Sequence, residues 1–340
     1  DYADLLRISV AGAGNDHRLG ANEAPPAIVS IFVGDELQAV MDSIENDTFF
    51  TGLHREQLET GAHVLPHFTK DTTDRNRTSP FAFTGNKFEF RMLGSSASVS
   101  TPNIVLNTAV AESLRQFSQK LEGVAPEEMG DAVHALLKET IIAHKRVIFN
   151  GNGYTDEWVK EAKKRGLYNL VSTPDALEHF TDDKNVELFV RHGVFTKEEI
   201  FSRDEILLEN YSKSIHIEVK TLDDMLKKDF LPAVSAYVEQ ISDTAVKKKT
   251  LVPGLPLTYE TSLITKLSSL QAEIASGLEQ LLADADAADA KESALLTAKA
   301  YHEVVLAHME ALRVKIDEAE SLVPDALLPY PTYDQLLFSI

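Results

Sequence analysis

Phe81-Ala82-Phe83-Thr84-Gly85-Asn86-Lys87-Phe88-Glu89-Phe90-Arg91 is the clearest strand signal in the chain. Gly85-Asn86 is a two-residue turn of the kind β-hairpins favour, with Gly at the first central position. Closing the ribbon there pairs Thr84 with Lys87, Phe83 with Phe88, Ala82 with Glu89 and Phe81 with Phe90. Side chains alternate along a strand, so the phenylalanines share one face while Lys87, Glu89 and Arg91 share the other. The aromatic face is expected to be buried. The charged face has two readings. It is either a solvated surface with ion pairs, or a site wall where a carboxylate holds a hard cation and its neighbours bind phosphate or carboxylate oxygens.

Two polar segments upstream carry further candidates. In Asp71-Thr72-Thr73-Asp74-Arg75-Asn76-Arg77-Thr78-Ser79-Pro80, Arg77 offers a planar fork suited to phosphoryl oxygens; a solvated loop is the other reading. In Asn15-Asp16-His17-Arg18-Leu19-Gly20-Ala21-Asn22-Glu23-Ala24-Pro25, Arg18 stands at the base of a loop that Gly20 allows to bend. Glu23 near the tip is a carboxylate for a flap that closes and accepts a proton, or an ordinary exposed loop acid. The 11 histidines form no metal-ligand pattern, since Pro66 between His63 and His67 argues against one helix presenting both. Neither a phosphate-binding Gly-x-x-x-x-Gly-Lys loop nor a dinucleotide fingerprint occurs.

The 340 residues are 44% hydrophobic and 25% charged, enough apolar material for a sizeable core. Lys plus Arg number 33 against 53 Asp plus Glu, a net charge of −20. A surface that negative repels phosphate backbones and anionic lipid, so neither nucleic acid nor membrane is the expected partner. A few arginines gathered in one cleft reverse that field locally for a small anion. With no Cys there are no disulfides or thiolate metal sites, and no stretch approaches the ~18 apolar residues of a membrane span. The opening Asp1-Tyr2-Ala3-Asp4 is neither a signal peptide nor a Met start. The expectation is a cytoplasmic protein whose front end is missing.

Along the chain, Leu5 to Val10 reads as a strand or the end of a buried element, and Ala27 to Phe32 as a buried strand. Val110, Leu114, Phe117 and Leu121 recur at helical spacing, as do Val133, Leu137 and Ile141. Short helices are expected around Asp156–Arg165, Thr173–Phe180 and Asp204–Ser212. Further on there are three helical stripes: Leu226, Phe230, Val234, Tyr237 and Ile241; then Leu263, Leu267, Leu270, Ile274, Leu278 and Leu281; then Leu295, Ala298, His302, Val305, Met309, Leu312 and Ile316. Pro253-Gly254-Leu255-Pro256 separates the first two, and the run Asp284–Asp289 the last two. Such narrow stripes must bury their faces against neighbours, which predicts a helical hairpin or small bundle.

Taken together and in order, the loop, the Asn-Arg segment and the strand resemble glutamine synthetase, and in detail its type III branch. His17-Arg18-Leu19-Gly20-Ala21-Asn22-Glu23-Ala24-Pro25-Pro26 is similar to the type III flap loop, Asn76-Arg77-Thr78 to the family's Asn-Arg-Ser/Thr segment, and Lys87-Phe88-Glu89-Phe90-Arg91 to its basic-x-Glu-x-Arg strand. The ending Tyr330-Pro331-Thr332-Tyr333-Asp334-Gln335-Leu336-Leu337-Phe338 also resembles the type III C-terminus. The resemblance implies ATP-dependent joining of ammonia to the γ-carboxylate of glutamate through γ-glutamyl phosphate, with Mg²⁺ or Mn²⁺. It implies that Arg18 and Arg91 bind substrate, Glu23 is the proton-accepting flap carboxylate, Arg77 contacts the transferring phosphoryl group, Lys87 stands near the nucleotide phosphates, and Glu89 ligates metal. It implies an α+β fold: residues 1–225 as the C-terminal portion of a catalytic domain, 226–340 as a helical extension and tail, and a ring-shaped homo-oligomer, the dodecamer of type III enzymes, with the helical stripes either making subunit contacts or packing on their own catalytic domain.

Departures are the shorter flap without Pro-Gly, and the lack of a Glu-x-Glu metal strand and of a His-Gly-Ser-Gly-like loop. The chain then resembles the C-terminal half of such an enzyme and is expected to be inactive alone. Other readings are a γ-glutamyl ligase for another amine or a guanidino-kinase-like phosphoryl transferase on the same fold, and a non-catalytic assembly module.

Overall fold

The computed structural model describes residues 1–20, 24–52 and 78–338, and the backbone of two short paired strands between the last two stretches. The chain is mostly helical, with a small mixed sheet, and divides into two compact units, Asp1–Leu207 and Leu208–Ile340. No helix among the described residues is long and apolar enough to cross a membrane.

The strands are β1 Ile31–Phe32, β2 Gln57–Leu58, β3 Phe68–Thr69, β4 Phe81–Phe83 and β5 Phe88–Phe90. β2 and β3 form an antiparallel pair of their own. In the three-stranded sheet β4 is central, parallel to β1 and antiparallel to β5. The hairpin has the register read from the sequence: Phe81 faces Phe90, Ala82 faces Glu89 and Phe83 faces Phe88. Gly85 takes φ +96°, a left-handed conformation that favours glycine, and the Thr84 N–H closes the turn on the Lys87 carbonyl at 2.9 Å.

The aromatic face is less buried than expected. Phe81, Phe83 and Phe90 are half-buried and Phe88 is 48% exposed, whereas Ala82 on the charged face is fully buried. The rings cover one another instead, with centroids 5.2–5.9 Å apart. At the Phe90 end this face joins a core formed by Val10, Leu19, Val29 and Met92. Ala27–Ser30 is buried, but only Ile31 and Phe32 pair as a strand.

Leu5–Val10 begins in a helix, α1 Ala3–Ile8, and not in a strand. The buried face of α1 includes the charged pair Asp4 and Arg7, which a reading of apolar positions alone does not assign to it. Arg7 donates to the carbonyls of Leu170 (2.7 Å) and Val171 (3.1 Å) and pairs with Asp16 (2.8 Å); Asp4 accepts from Asn185 (2.8 Å) and pairs with Lys184. Buried charges are tolerated when they are paired and hydrogen-bonded in this way. The short helix α2 Ala13–Asp16 follows, then α3 Gly34–Glu45.

α4 Ser100–Leu121 and α5 Met129–His144 form where the periodicity changes. Yet the apolar stripe of α4 faces outward, with Val110 55% and Leu114 61% exposed, while Val105, Thr108 and Glu112 are buried. α6 Asp156–Lys164, α7 Thr173–Leu177 and α8 Asp183–Arg191 complete this unit. The Thr155 and Ser172 hydroxyls cap α6 and α7 by accepting backbone N–H groups. Glu112 is the polar knot between α4 and α8. Its carboxylate accepts from Arg115 (2.7 and 2.9 Å), Gln116 (2.8 Å), Arg191 (3.0 Å) and His192 (2.8 Å).

The helix expected around Asp204–Ser212 is far longer: α9 runs Lys197–Met225, and the division between the units falls within it. A π-turn, Leu226–Phe230, joins it to α10 Leu231–Leu251, where Pro232 lacks the N–H of a regular turn and would crowd the carbonyl of Lys228. α11 Thr258–Asp289 continues through the acidic run expected to end it; these aspartates lie within the helix. α12 Ala294–Ala300, a second π-turn Tyr301–Val305 and α13 Leu306–Glu320 follow, then α14 Tyr333–Leu337. α11 packs against α10 and α13, burying Leu267, Leu270, Ile274, Leu278 and Leu281.

At the second π-turn Tyr301 is fully buried and the seam residue His302 only half-buried, while Val305, Leu312 and Ile316 keep the expected buried positions. Tyr301 gives its hydroxyl proton to Asp289 (2.8 Å), so the His216 Nδ1 at 2.7 Å must itself carry hydrogen. Burial first, then Asp289, pushes the Tyr301 phenol above its usual 10.0.

Replacing Glu112 tests this account of the first unit. The Arg115 hydrogen bonds, followed by those of Gln116 and His192, outweigh burial and hold the carboxyl well below its ordinary 4.5. Such a group contributes stability above pH 4.5 that is lost as pH falls. Glu112→Ala is expected to cost roughly 3 kcal/mol at pH 7, the lower end for breaking a buried pair, because the arginines left behind are partly exposed. In urea denaturation the difference from wild type should shrink at pH 3.

Candidate functional site

Arg18 follows α2, and α2 is fixed from below. The Asp16 carboxylate accepts from Arg7 (2.8 Å) and from the Thr173 N–H (2.6 Å) and hydroxyl (2.8 Å), and the Gly12 N–H donates to the Thr173 hydroxyl (2.7 Å). From this base the Arg18 side chain reaches the end of β5. Its Nη1 donates to the Met92 carbonyl (3.1 Å) and to Asn15 Oδ1 (3.2 Å), and its Nη2 to the Arg91 carbonyl (3.4 Å). A guanidinium has five N–H donors. Among the described residues three are thus given to the framework, leaving Nε–H and one Nη2–H, a pair that matches the two oxygens of a carboxylate.

On the charged face of β5, Glu89 lies between two cations. Lys87 Nζ is 3.3 Å from Glu89 Oε1; Arg91 Nη2 and Nε are 3.1 and 3.3 Å from Oε2. The hydrogen bonds from Lys87, then Arg91, hold the Glu89 carboxyl below its ordinary value. Exposure grades along the strand: the Arg91 side chain is 12% exposed, Glu89 39% and Lys87 65%. The structure therefore lines Lys87, Glu89 and Arg91 along β5 and brings the Arg18 guanidinium to the backbone at its Arg91 end, three cations and one carboxylate on a chain of net charge −20. Among the described residues no three His, Asp or Glu side chains cluster to hold a metal ion. Glu89, with its oxygens shared between Lys87 and Arg91, does not make a divalent-cation site by itself.

Glu23 and Arg77 lie outside the described residues. The residues flanking them are described, and they converge. The Gly20 N–H donates to the Pro25 carbonyl (3.0 Å), fastening the two sides of the Glu23 loop. The Arg91 N–H donates to the Pro80 carbonyl (2.8 Å), which ties the stretch after Arg77 to β5. Thr78 and Pro26 meet at Gly153, where a Cβ would lie 2.4 Å from the Thr78 carbonyl oxygen and 3.3 Å from Pro26.

Sequence reasoning did not single out Asn15, Gly94 or Gly153. Asn15 is buried against Val10, Met92 and Arg18, and a Cβ at Gly94 would come within 3.0 Å of its Oδ1. Their importance arises from contacts between distant segments, and no local pattern marks it.

Three relatives and one family model match this chain. A model described as the glutamine synthetase C-terminal domain matches residues 132–249. The chain is 48% identical to a glutamine synthetase of Butyrivibrio fibrisolvens, over 100% of this chain and 48% of that protein. It is 41% identical to the type-3 glutamine synthetase of Dictyostelium discoideum, over 99% of this chain and 46% of the relative. For a glutamine synthetase of Bacteroides fragilis strain YCH46 the identity is 37%, with 99% and 47% covered. The chain spans about half the length of the curated relatives it matches.

The convergence at Gly153 is directly testable. Gly153→Ala forces a methyl group against a backbone carbonyl and is expected to destabilise by roughly 1–3 kcal/mol, the usual range for overpacking. Urea denaturation measures it; wild-type stability in the variant would show that the Thr78 segment yields.

Proposed function

This chain belongs to the glutamine synthetase family, and on that premise we propose that it supplies part of a site joining ammonia to the γ-carboxylate of L-glutamate at the expense of ATP. The observation that carries the reading is the Arg18 guanidinium, held on the carbonyls of Arg91 and Met92 with two donors to spare.

In this proposal the free edge of Arg18 binds a glutamate carboxylate. Arg91 steadies the substrate carboxylate and the phosphoryl group, and Lys87 and Arg77 face the ATP phosphates. The γ-carboxylate attacks the γ-phosphorus, ADP leaves, and γ-glutamyl phosphate forms. Ammonia then attacks the acyl carbon and phosphate departs, giving glutamine. Glu23 takes the proton from ammonium and, as a lid, keeps water from the acyl phosphate. Positive charge at the transferring phosphoryl group lowers the barrier of the first step, as the cationic grouping requires. Glu89 offers one ligand to a Mg²⁺ or Mn²⁺ ion only alongside carboxylates that the described residues do not supply. The isolated chain is accordingly proposed to be inactive.

We further assign residues 1–225 to the catalytic domain and 226–340 to a helical extension that contributes to a ring-shaped homo-oligomer. The exposed apolar side chains Tyr333, Leu337 and Phe338 in the tail favour a role in subunit contact.

Assaying the full-length protein for glutamine formation tests the proposal. Product should require glutamate, ammonium and ATP together, and Arg91→Ala should lower the rate about 100-fold or more, as loss of a charge-stabilising donor does. Phosphoryl transfer that proceeds without ammonium onto a guanidino compound, or ligation of another amine in preference, would refute it.

A further inference from the structure

We propose that Asn15 is a positioning residue that aims the free donor edge of Arg18, and so sets the affinity for the amino-acid carboxylate; this rests on the role given to Arg18 above. Asn15 is 9% exposed and uses both ends of its amide. Nδ2 donates to the carbonyls of Val10 (2.7 Å) and Met92 (3.0 Å), while Oδ1 accepts from Arg18 Nη1 (3.2 Å). The chemistry allows only this orientation. Carbonyls cannot donate and a guanidinium cannot accept, so a flipped amide would lose all three bonds.

The Asn15 backbone adds a further hold, because its carbonyl accepts the Arg18 N–H at 3.0 Å. Asn15 and Arg18 share the Met92 carbonyl, which makes the amide a spacer between the end of β5 and the guanidinium. Gly94 completes the arrangement from the other side, since a Cβ there would stand 3.0 Å from Asn15 Oδ1. An aspartate in place of Asn15 would turn a carboxylate toward two carbonyl oxygens and lose both donors. A hydrophobic residue would leave one guanidinium N–H and two carbonyls with lost partners.

The discriminating signature is a split between substrates. In the full-length protein, Asn15→Ala and Gly94→Ala should each raise the KM for glutamate roughly tenfold and leave the KM for ATP within about twofold, the pattern of a displaced binding group. Gly94→Ala retains the amide and serves if Asn15→Ala fails to fold. Arg18→Ala, measured alongside, separates the two levels of inference. If Arg18→Ala leaves the glutamate KM unchanged, the role of Arg18 is wrong and this inference falls with it. If Arg18→Ala raises it while the folded Asn15 and Gly94 variants do not, or if they shift both KM values equally, Asn15 is structural only and the inference is overturned.

Discussion

The candidate site depends on where the Arg18 guanidinium is held. Arginine carries its charge on a long side chain, and its planar fork is selective only when its plane and direction are fixed. Here three N–H groups are committed to oxygen acceptors, the Arg91 and Met92 carbonyls at the end of β5 and the Asn15 side chain of α2. The cost of ordering a long side chain is therefore met within the fold, before any substrate arrives. The same contacts define the relation between a loop and a hairpin that are more than seventy residues apart in sequence.

Buried charges also join the helices of this unit. Arg7 and Asp16 join α1 to α2, Thr173 brings in α7, and Glu112 binds α4 to α8. Buried ion pairs of this kind contribute little net stability, but removal of one partner is costly, which makes each arrangement difficult to vary piecemeal. The second unit is built differently. Its helices bury leucine and isoleucine stripes, and a polar group of Tyr301, His216 and Asp289 sits at a π-turn.

Much of this was legible in the sequence. The hairpin register followed from Gly85-Asn86 and strand alternation alone, and the stripes after Leu226 located their helices, because both signals are local and repeat. What failed were judgements about burial. Four phenylalanines on one face implied a core, yet Phe88 is exposed, and the apolar stripe of α4 points outward while Glu112 lies inside. Burial depends on which segment arrives from elsewhere, and periodicity carries no information about that. The acidic run Asp284–Asp289 reads as a separator between two stripes, but the alanines interleaved with its aspartates sustain the helix. Arg18, Lys87, Glu89 and Arg91 stand out in the sequence through residue type and motif order. Asn15, Gly94 and Gly153 were invisible because their roles are set by neighbours distant in sequence.

The most direct measurement is a structure of the full-length protein with glutamate bound. The account predicts a substrate carboxylate at about 2.7–2.9 Å from Arg18 Nε and Nη2, the span of charge-assisted bonds, with Arg18 still resting on the carbonyls of Arg91 and Met92. Glutamate seated away from Arg18, or an Arg18 that releases those carbonyls to reach it, would contradict the claim that this framework aims the donor edge.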